Sequence, residues 1–379
     1  MFNKVTLFLA NKRYFVILTA LTTGLIFTYR GSGYRRTLWG DDALLVKHAL
    51  NRQAPFSRLK SIDPFGLLDT FGGYCALQLR LLTKFALVFG LENITTTVFI
   101  LSVLVWTGCA VYLASIIRSV SRPLTGLLAA IVFSITPFSN LVLMAQITGT
   151  YFPVVAVVII AILSQQLPKS RIGRLAFLLL CAVTALSTPM SLFAFFPSIY
   201  FTLKQKAIYK NFELWVAGTL GFGLLVQKYC YVSRDINTTF NRLAHDFVLG
   251  ANTFAPQYLR ARISDPKSPV ETITLYGLPV ILGAATWLMF KITRNSRHLE
   301  IYKIPQRLLY ISPLILAVLI YGNGWLNSHY LFIPTEFIWL AILLLCDSVI
   351  QTRIPWKFAP ILLVAVIFSL GLSGNFFVI

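Results

Sequence analysis

Trp39-Gly40-Asp41-Asp42-Ala43-Leu44-Leu45 places two adjacent carboxylates shortly after the first long apolar run of the chain, Tyr14 to Tyr29. Acidic residues are scarce in this protein, whose 379 residues contain 13 Asp plus Glu against 33 Lys plus Arg. A pair of acids beside an apolar segment therefore needs an explanation. Two explanations fit the residues: a catalytic or ion-binding centre, and the capping of a helix that begins at the pair.

The composition is that of an integral membrane protein. Apolar residues make up 57% of the chain and charged residues 12%, whereas charged residues account for about a quarter of a soluble domain. The Lys and Arg residues, which give a net charge of +20, lie in short clusters between apolar segments. Such clusters are typical of cytoplasmic loops and of contacts with anionic membrane lipids, so nucleic acid is not expected as a partner.

The basic clusters also set the expected topology. Lys4, Lys12 and Arg13 precede the first apolar run, so the amino terminus is expected inside and residues 30–93 are expected to form an outer loop. Counting onward gives about 11 transmembrane helices and a second outer loop at residues 232–271. We therefore expect an all-α, multi-pass protein in which residues 1–379 form a single transmembrane domain without a soluble domain. No cleavage site follows the first run, which is expected to stay as an anchor.

Two apolar segments are not expected to cross the membrane as single helices. Tyr74 to Phe89 carries Arg80 and Lys84 one helical turn apart, and counting it as a crossing would move the later basic clusters outside. It is therefore predicted to be an amphipathic helix in the outer interface. Leu175 to Leu203 is long for one crossing and is interrupted by Ser187-Thr188-Pro189, which predicts two half-helices that form a hairpin.

The five cysteines show no spacing typical of a metal site or a redox motif. They stand singly, mostly inside apolar segments, and are expected to be small buried hydrophobic residues without a disulfide framework. They are Cys75, Cys109, Cys181, Cys230 and Cys346.

Four short motifs occur in order along the chain. They are Trp39-Gly40-Asp41-Asp42, Gly72-Gly73-Tyr74 followed by Leu79-Arg80-Leu81-Leu82, Leu186-Ser187-Thr188-Pro189-Met190-Ser191-Leu192, and His329-Tyr330-Leu331-Phe332-Ile333-Pro334. In this order they resemble the GT-C superfamily of polytopic membrane glycosyltransferases, especially its bacterial members. The resemblance implies a multi-pass protein of the bacterial inner or plasma membrane that takes sugar from a polyprenyl-phosphate donor at the outer face.

The same resemblance implies roles for residues of the first outer loop. One acid of the pair, Asp41 or Asp42, would be the general base or a metal contact. A divalent cation, Mg²⁺ or Mn²⁺, is the one cofactor that the resemblance allows. Arg80 would contact the phosphate of the donor.

Other residues of the predicted outer face are candidates because of their chemistry. Lys84, Arg260 and Arg262 carry the positive charge that a phosphate needs, although lipid headgroups are alternative partners for them. Trp39 offers a ring for stacking against a sugar, with anchoring in the membrane interface as the alternative. His329 and Tyr330 open a late apolar segment, where they are candidates for substrate contacts.

The balance of charges favours sugar transfer over hydrolysis. A phosphate leaving group needs cations but no acid, and the acceptor hydroxyl needs one carboxylate as base. Hydrolysis would need a pair of carboxyl groups, one on each side of the glycosidic bond. The expected reaction is therefore the inverting transfer of a hexose or pentose to a glycan or lipid-linked acceptor, with Asp41 as the base and Asp42 as its support or a metal contact.

Two other functions are open on the sequence. A flippase or transporter of a lipid-linked saccharide would place polar residues along a path through the bilayer. A polysaccharide polymerase or ligase that uses diphosphate-linked donors would depend on arginines of the outer loops and not on Asp41 or Asp42.

Overall fold

The computed structural model describes residues 9–32, 38, 40–51, 67, 70–71, 74–135, 147–204, 211–230, 303–323 and 332–352. Nearly all of these residues are helical, which confirms the all-α class. The helices are α1 (Lys12–Gly31), α2 (Gly40–Asn51), α3 (Leu77–Leu87), α4 (Ile94–Val120), α5 (Pro123–Ile135), α6 (Tyr151–Ser164), α7 (Arg171–Ala185), α8 (Leu192–Lys204), α9 (Phe212–Cys230), α10 (Lys303–Asn323) and α11 (Phe332–Thr352). Two-residue strands β1 (Thr70–Phe71) and β2 (Tyr74–Cys75) form an antiparallel pair, and 3-10 turns occupy Thr148–Thr150 and Pro189–Ser191.

The chain divides into two compact units. Unit 1 contains Met1–Ile26, Ala110–Asn140 and Ile236–Ile379, and unit 2 contains Phe27–Cys109 and Leu141–Asp235. The single transmembrane domain expected from the sequence stays a prediction.

In unit 1, a buried acid on α11 is paired with the turn that joins α4 to α5. Asp347 is 1% exposed, and its carboxylate accepts hydrogen bonds from the guanidinium of Arg122, at 2.8 Å for Nε, and from the hydroxyl of Ser121. Helix α11 packs against α10 and α5. The buried charge is therefore neutralised and hydrogen-bonded, as a carboxylate in an apolar surrounding requires.

In unit 2, the predicted break at Ser187-Thr188-Pro189 is confirmed. Helix α7 ends at Ala185, and α8 begins at Leu192 after the 3-10 turn. Proline disfavours the helical conformation for the residue before it, and Thr188 is extended, with φ −158° and ψ 141°. The two helices have 15 and 13 residues, so each is only about 20 Å long, shorter than a bilayer core of about 30 Å. Both pack against α9.

Helix α3 covers most of the segment predicted to be an interfacial helix, and its two faces are reversed relative to a helix in water. Its buried face includes the polar side chains of Gln78, Arg80 and Thr83, whereas Leu81 and Phe85 are 41% and 52% exposed. Apolar groups on the outside and polar groups on the inside are expected where the outside is lipid or another apolar partner.

Further helices expose large apolar side chains in the same way. Ile17, Leu21 and Leu25 form an exposed stripe along α1 at intervals of four residues. By length and composition, α4 is the one helix in the described ranges that is able to span a membrane, with a mean hydropathy of 2.2 in its most apolar window. Shorter apolar helices are Pro123–Ile135, Thr148–Ser164 and Phe332–Leu345.

Helices α7 and α9 approach closely at a glycine of α9. A Cβ atom at Gly223 would lie 2.3 Å from the Cβ of Ala185, at the end of α7. We expect Gly223→Ala to force the helices apart and to lower the free energy of unfolding by about 1–3 kcal/mol. Gly218 on the same helix has no atom within 4 Å of its Cβ position. Gly218→Ala is therefore the matched control, expected to stabilise the helix by about 0.5–1 kcal/mol.

Thermal unfolding of the two variants in detergent, measured side by side, checks this prediction. Equal unfolding midpoints for both variants would contradict the close approach of α7 and α9.

Candidate functional site

Asp42 lies in the first turn of α2 and is fully buried, with 0% of its surface exposed. Its Oδ2 accepts a hydrogen bond from the backbone N–H of Ile147 at 2.9 Å. Its Oδ1 accepts from the backbone N–H of Thr148 at 3.0 Å and from the hydroxyl of Thr148 at 3.1 Å. Both carboxylate oxygens therefore hold the residues that lead into α6.

Asp42 caps a helix start, but it is not the start of α2, which the sequence suggested. Helix α2 begins at Gly40, so both acids lie inside it and not before it. The carboxylate of Asp42 binds the N–H groups at the start of the 3-10 turn that precedes α6. Such N–H groups have no partner within the helix, and a carboxylate is favoured beside them. Asp42 thus fixes α2 against the start of α6.

A second contact joins α3 to the same turn. The side-chain Nε2 of Gln78 donates to Oγ1 of Thr150 at 3.0 Å, and that hydroxyl donates to the carbonyl of Ile147 at 2.6 Å. Ile147 is also the residue whose N–H binds Asp42. Gln78 and Asp42, from two different helices, are therefore connected through Thr150 and Ile147.

The break between α7 and α8 receives the start of α3. The backbone N–H of Leu77 donates to the carbonyl of Leu186 at 3.2 Å, and the N–H of Gln78 donates to Oγ of Ser187 at 2.8 Å. These are two of the N–H groups that a helix start leaves without a partner. We call Asp42, Gln78, Thr148, Thr150 and Ser187 the polar cluster. All five are buried.

Beside the polar cluster, Cys75 and Cys230 form a disulfide, with their Cα atoms 5.5 Å apart. The expectation of five unpaired cysteines is therefore wrong for this pair. The amide of Gln227 reinforces the link, since its Oε1 accepts from the N–H of Cys75 at 2.9 Å and its Nε2 donates to the carbonyl of Cys75 at 3.0 Å. Cys109 and Cys181 are free and buried, as expected.

The described candidates for phosphate binding both lie on α3. Arg80 is 3% exposed and, like Gln78, is buried, whereas Lys84 is partly exposed in the last turn. Helix α3 packs against α2, which carries both acids. Arg80 is therefore held inside unit 2, on a helix next to the acid pair.

The remaining candidates lie outside the described residues. They are Trp39, Arg260, Arg262, His329, Tyr330 and the side chain of Asp41, whose backbone belongs to α2. Their predicted roles stay predictions.

A divalent cation does not fit Asp42. Both of its oxygens accept hydrogen bonds, two of which come from backbone N–H groups, and such groups repel a cation. Within the described ranges, no group of three or more His, Cys, Asp or Glu side chains is arranged to hold a metal ion. The role of a metal contact is therefore not assigned to Asp42.

Several residues of the site carry no clear signal in the sequence. Gln78 is a polar residue in an apolar segment, which is rare enough in membrane proteins to draw attention. Thr148 and Thr150 look like ordinary residues of an apolar segment, and Gln227 looks like the polar end of a helix. They come together only because distant segments pack at the same place.

Comparisons with protein-family models, with curated proteins and with solved structures gave no significant match.

Proposed function

We propose that this chain is a multi-pass membrane glycosyltransferase. It transfers a sugar, with inversion, from a polyprenyl-phosphate donor to a glycan or lipid-linked acceptor at the outer face of the membrane. The observation that carries the proposal is the burial of Asp42 and Arg80 on two helices that pack together, α2 and α3. The sequence resemblance assigns the acid and the phosphate contact to these same two segments.

The hydrogen bonds of Asp42 support a division of labour within the acid pair. A carboxylate that accepts from two backbone N–H groups and a hydroxyl is an anchoring group, because taking up a proton would break those bonds. Asp42 therefore acts as a positioning residue that fixes the start of α2. The base is Asp41, the adjacent residue of the same helix.

The reaction then needs few groups. Asp41 accepts the proton of the acceptor hydroxyl while the hydroxyl oxygen attacks the anomeric carbon of the sugar. The bond from that carbon to the phosphate oxygen breaks on the opposite face, and the phosphate leaves with the electron pair. Arg80 stabilises the charge on the departing phosphate. The attack from the opposite face explains the inversion.

Two further features support the membrane setting and the outer location. Exposed apolar stripes such as the one on α1 fit contact with lipid. The disulfide lies between Cys75, in the predicted first outer loop, and Cys230, at the predicted outer end of a crossing. Disulfides form and persist on the oxidising, outer side of a cell membrane.

The test is sugar transfer by the purified protein in lipid. It is offered polyprenyl phosphates that each carry one hexose or pentose and, separately, polyprenyl diphosphates that carry a saccharide. We expect transfer from one donor class, with a product of inverted anomeric configuration by NMR. Movement of the intact lipid-linked sugar across vesicles without transfer would establish the flippase instead. Transfer only from diphosphate-linked donors would establish the polymerase or ligase.

A further inference from the structure

The orientation of the Gln78 side chain is fixed by its neighbours. The hydroxyl of Thr150 donates its one proton to the carbonyl of Ile147 at 2.6 Å, so it acts as an acceptor toward Gln78. The end of the amide that faces Thr150 must therefore be the NH₂ group, at 3.0 Å. The carbonyl end, Oε1, points away from Thr150.

This carbonyl oxygen has no hydrogen-bond partner among the described residues, although Gln78 is only 6% exposed. A buried acceptor without a partner is destabilising, and buried polar groups in native proteins are nearly always paired. The other members of the polar cluster all have hydrogen-bond partners. They are Asp42, Thr148, Thr150 and Ser187. The oxygen is therefore a free acceptor in an otherwise satisfied network.

We propose that Oε1 of Gln78 accepts a hydrogen bond from a hydroxyl of the transferred sugar. This inference rests on the proposed function and adds a recognition residue to it. A carboxamide oxygen attracts a hydroxyl and repels a phosphate oxygen. Arg80, two residues later on α3, is also buried and has the opposite preference, although the two side chains leave the helix in different directions. A lipid-linked sugar phosphate offers a hydroxyl group to Gln78 and a phosphate to Arg80.

Binding of two probes separates the two residues. The probes are undecaprenyl phosphate without sugar and undecaprenyl phosphates that carry one hexose or pentose, measured against the full chain in nanodiscs. For Gln78→Met we expect about 5- to 10-fold weaker binding of the preferred sugar-bearing probe and unchanged binding of the bare probe. For Arg80→Gln we expect weaker binding of both probes.

The control lies on the same helix. Thr83 is also buried, and its hydroxyl donates to the carbonyl of Leu79 within α3, at 2.7 Å. Thr83→Val removes this bond without touching the polar cluster and is expected to bind both probes as the wild type does. Equal loss of both probes in Gln78→Met, or loss of neither, would overturn the inference and leave Gln78 with a packing role or a bound water only.

A second measurement begins with the wild-type protein, so its first result does not depend on the folding of Gln78→Met. Donors that each lack one sugar hydroxyl are offered to the wild type, and one of them should bind about 5- to 10-fold more weakly. In Gln78→Met the same deoxy donor should show no further loss. Equal binding of all donors by the wild type, or additive losses in the variant, would overturn the inference. Wild-type protein that binds neither the bare nor the sugar-bearing probe would remove the proposed function as well, so the two failures are distinct.

Discussion

Replacing Asp42 with alanine is expected to lower the free energy of unfolding by about 3–5 kcal/mol. The substitution removes the acceptor of three hydrogen bonds from a fully buried position. It leaves the N–H groups of Ile147 and Thr148 without the partner that they now have. The start of α6 then loses its attachment to α2. Thermal and denaturant unfolding in detergent measure the loss.

Three further variants test whether the loss of stability is due to the Asp42 carboxylate. Asp42→Asn keeps one acceptor oxygen but turns an NH₂ group toward an N–H donor, so we expect a smaller loss of about 2 kcal/mol. Thr148→Val removes only the hydroxyl donor and should cost about 1 kcal/mol. Lys47→Gln, on the exposed side of α2, should change stability by less than about 0.5 kcal/mol. An Asp42→Ala variant as stable as Lys47→Gln would refute the anchoring role.

The second large effect is expected from the disulfide. It joins residues 155 positions apart, so it greatly restricts the unfolded chain. We expect Cys75→Ser with Cys230→Ser, or reduction of the wild type, to lower the free energy of unfolding by about 2–5 kcal/mol. Gln227→Leu should have a smaller effect, because it removes two hydrogen bonds and leaves the covalent link in place.

Thiol labelling checks the pairing directly. In a background with Cys109, Cys181 and Cys346 replaced by alanine, the denatured protein should bind no maleimide before reduction and two after it. Two labels before reduction would contradict the disulfide. Formation of the pair in cells with an oxidising envelope, and its loss in cells whose envelope cannot form disulfides, would also fit the predicted outer position.

The helical class and the break at Ser187-Thr188-Pro189 were predictable because their causes are local. Proline acts on its own residue and on the one before it, and apolar periodicity acts within a single helix. The partners of Asp42 were not predictable, because Ile147 and Thr148 lie more than one hundred residues away. A carboxylate at a helix start looks the same in sequence whether it caps its own helix or another one.

The disulfide was missed for a similar reason. Cys75 and Cys230 each stand alone in an apolar surrounding, and single cysteines there are usually buried hydrophobic residues. What could have raised the possibility was topology, since both cysteines were predicted near the outer face. The spacing of 155 residues carries no signal of its own.

We propose that Asp41 is the base and Asp42 its anchor, and donor turnover distinguishes these two roles. Donor turnover is compared for the wild type, Asp41→Asn and Asp42→Asn, each at a temperature well below its own unfolding midpoint. We expect Asp41→Asn to keep the wild-type unfolding midpoint and to lose about 10²- to 10⁴-fold in turnover. For Asp42→Asn we expect the main effect to be a lower unfolding midpoint. Wild-type turnover in Asp41→Asn would contradict the claim.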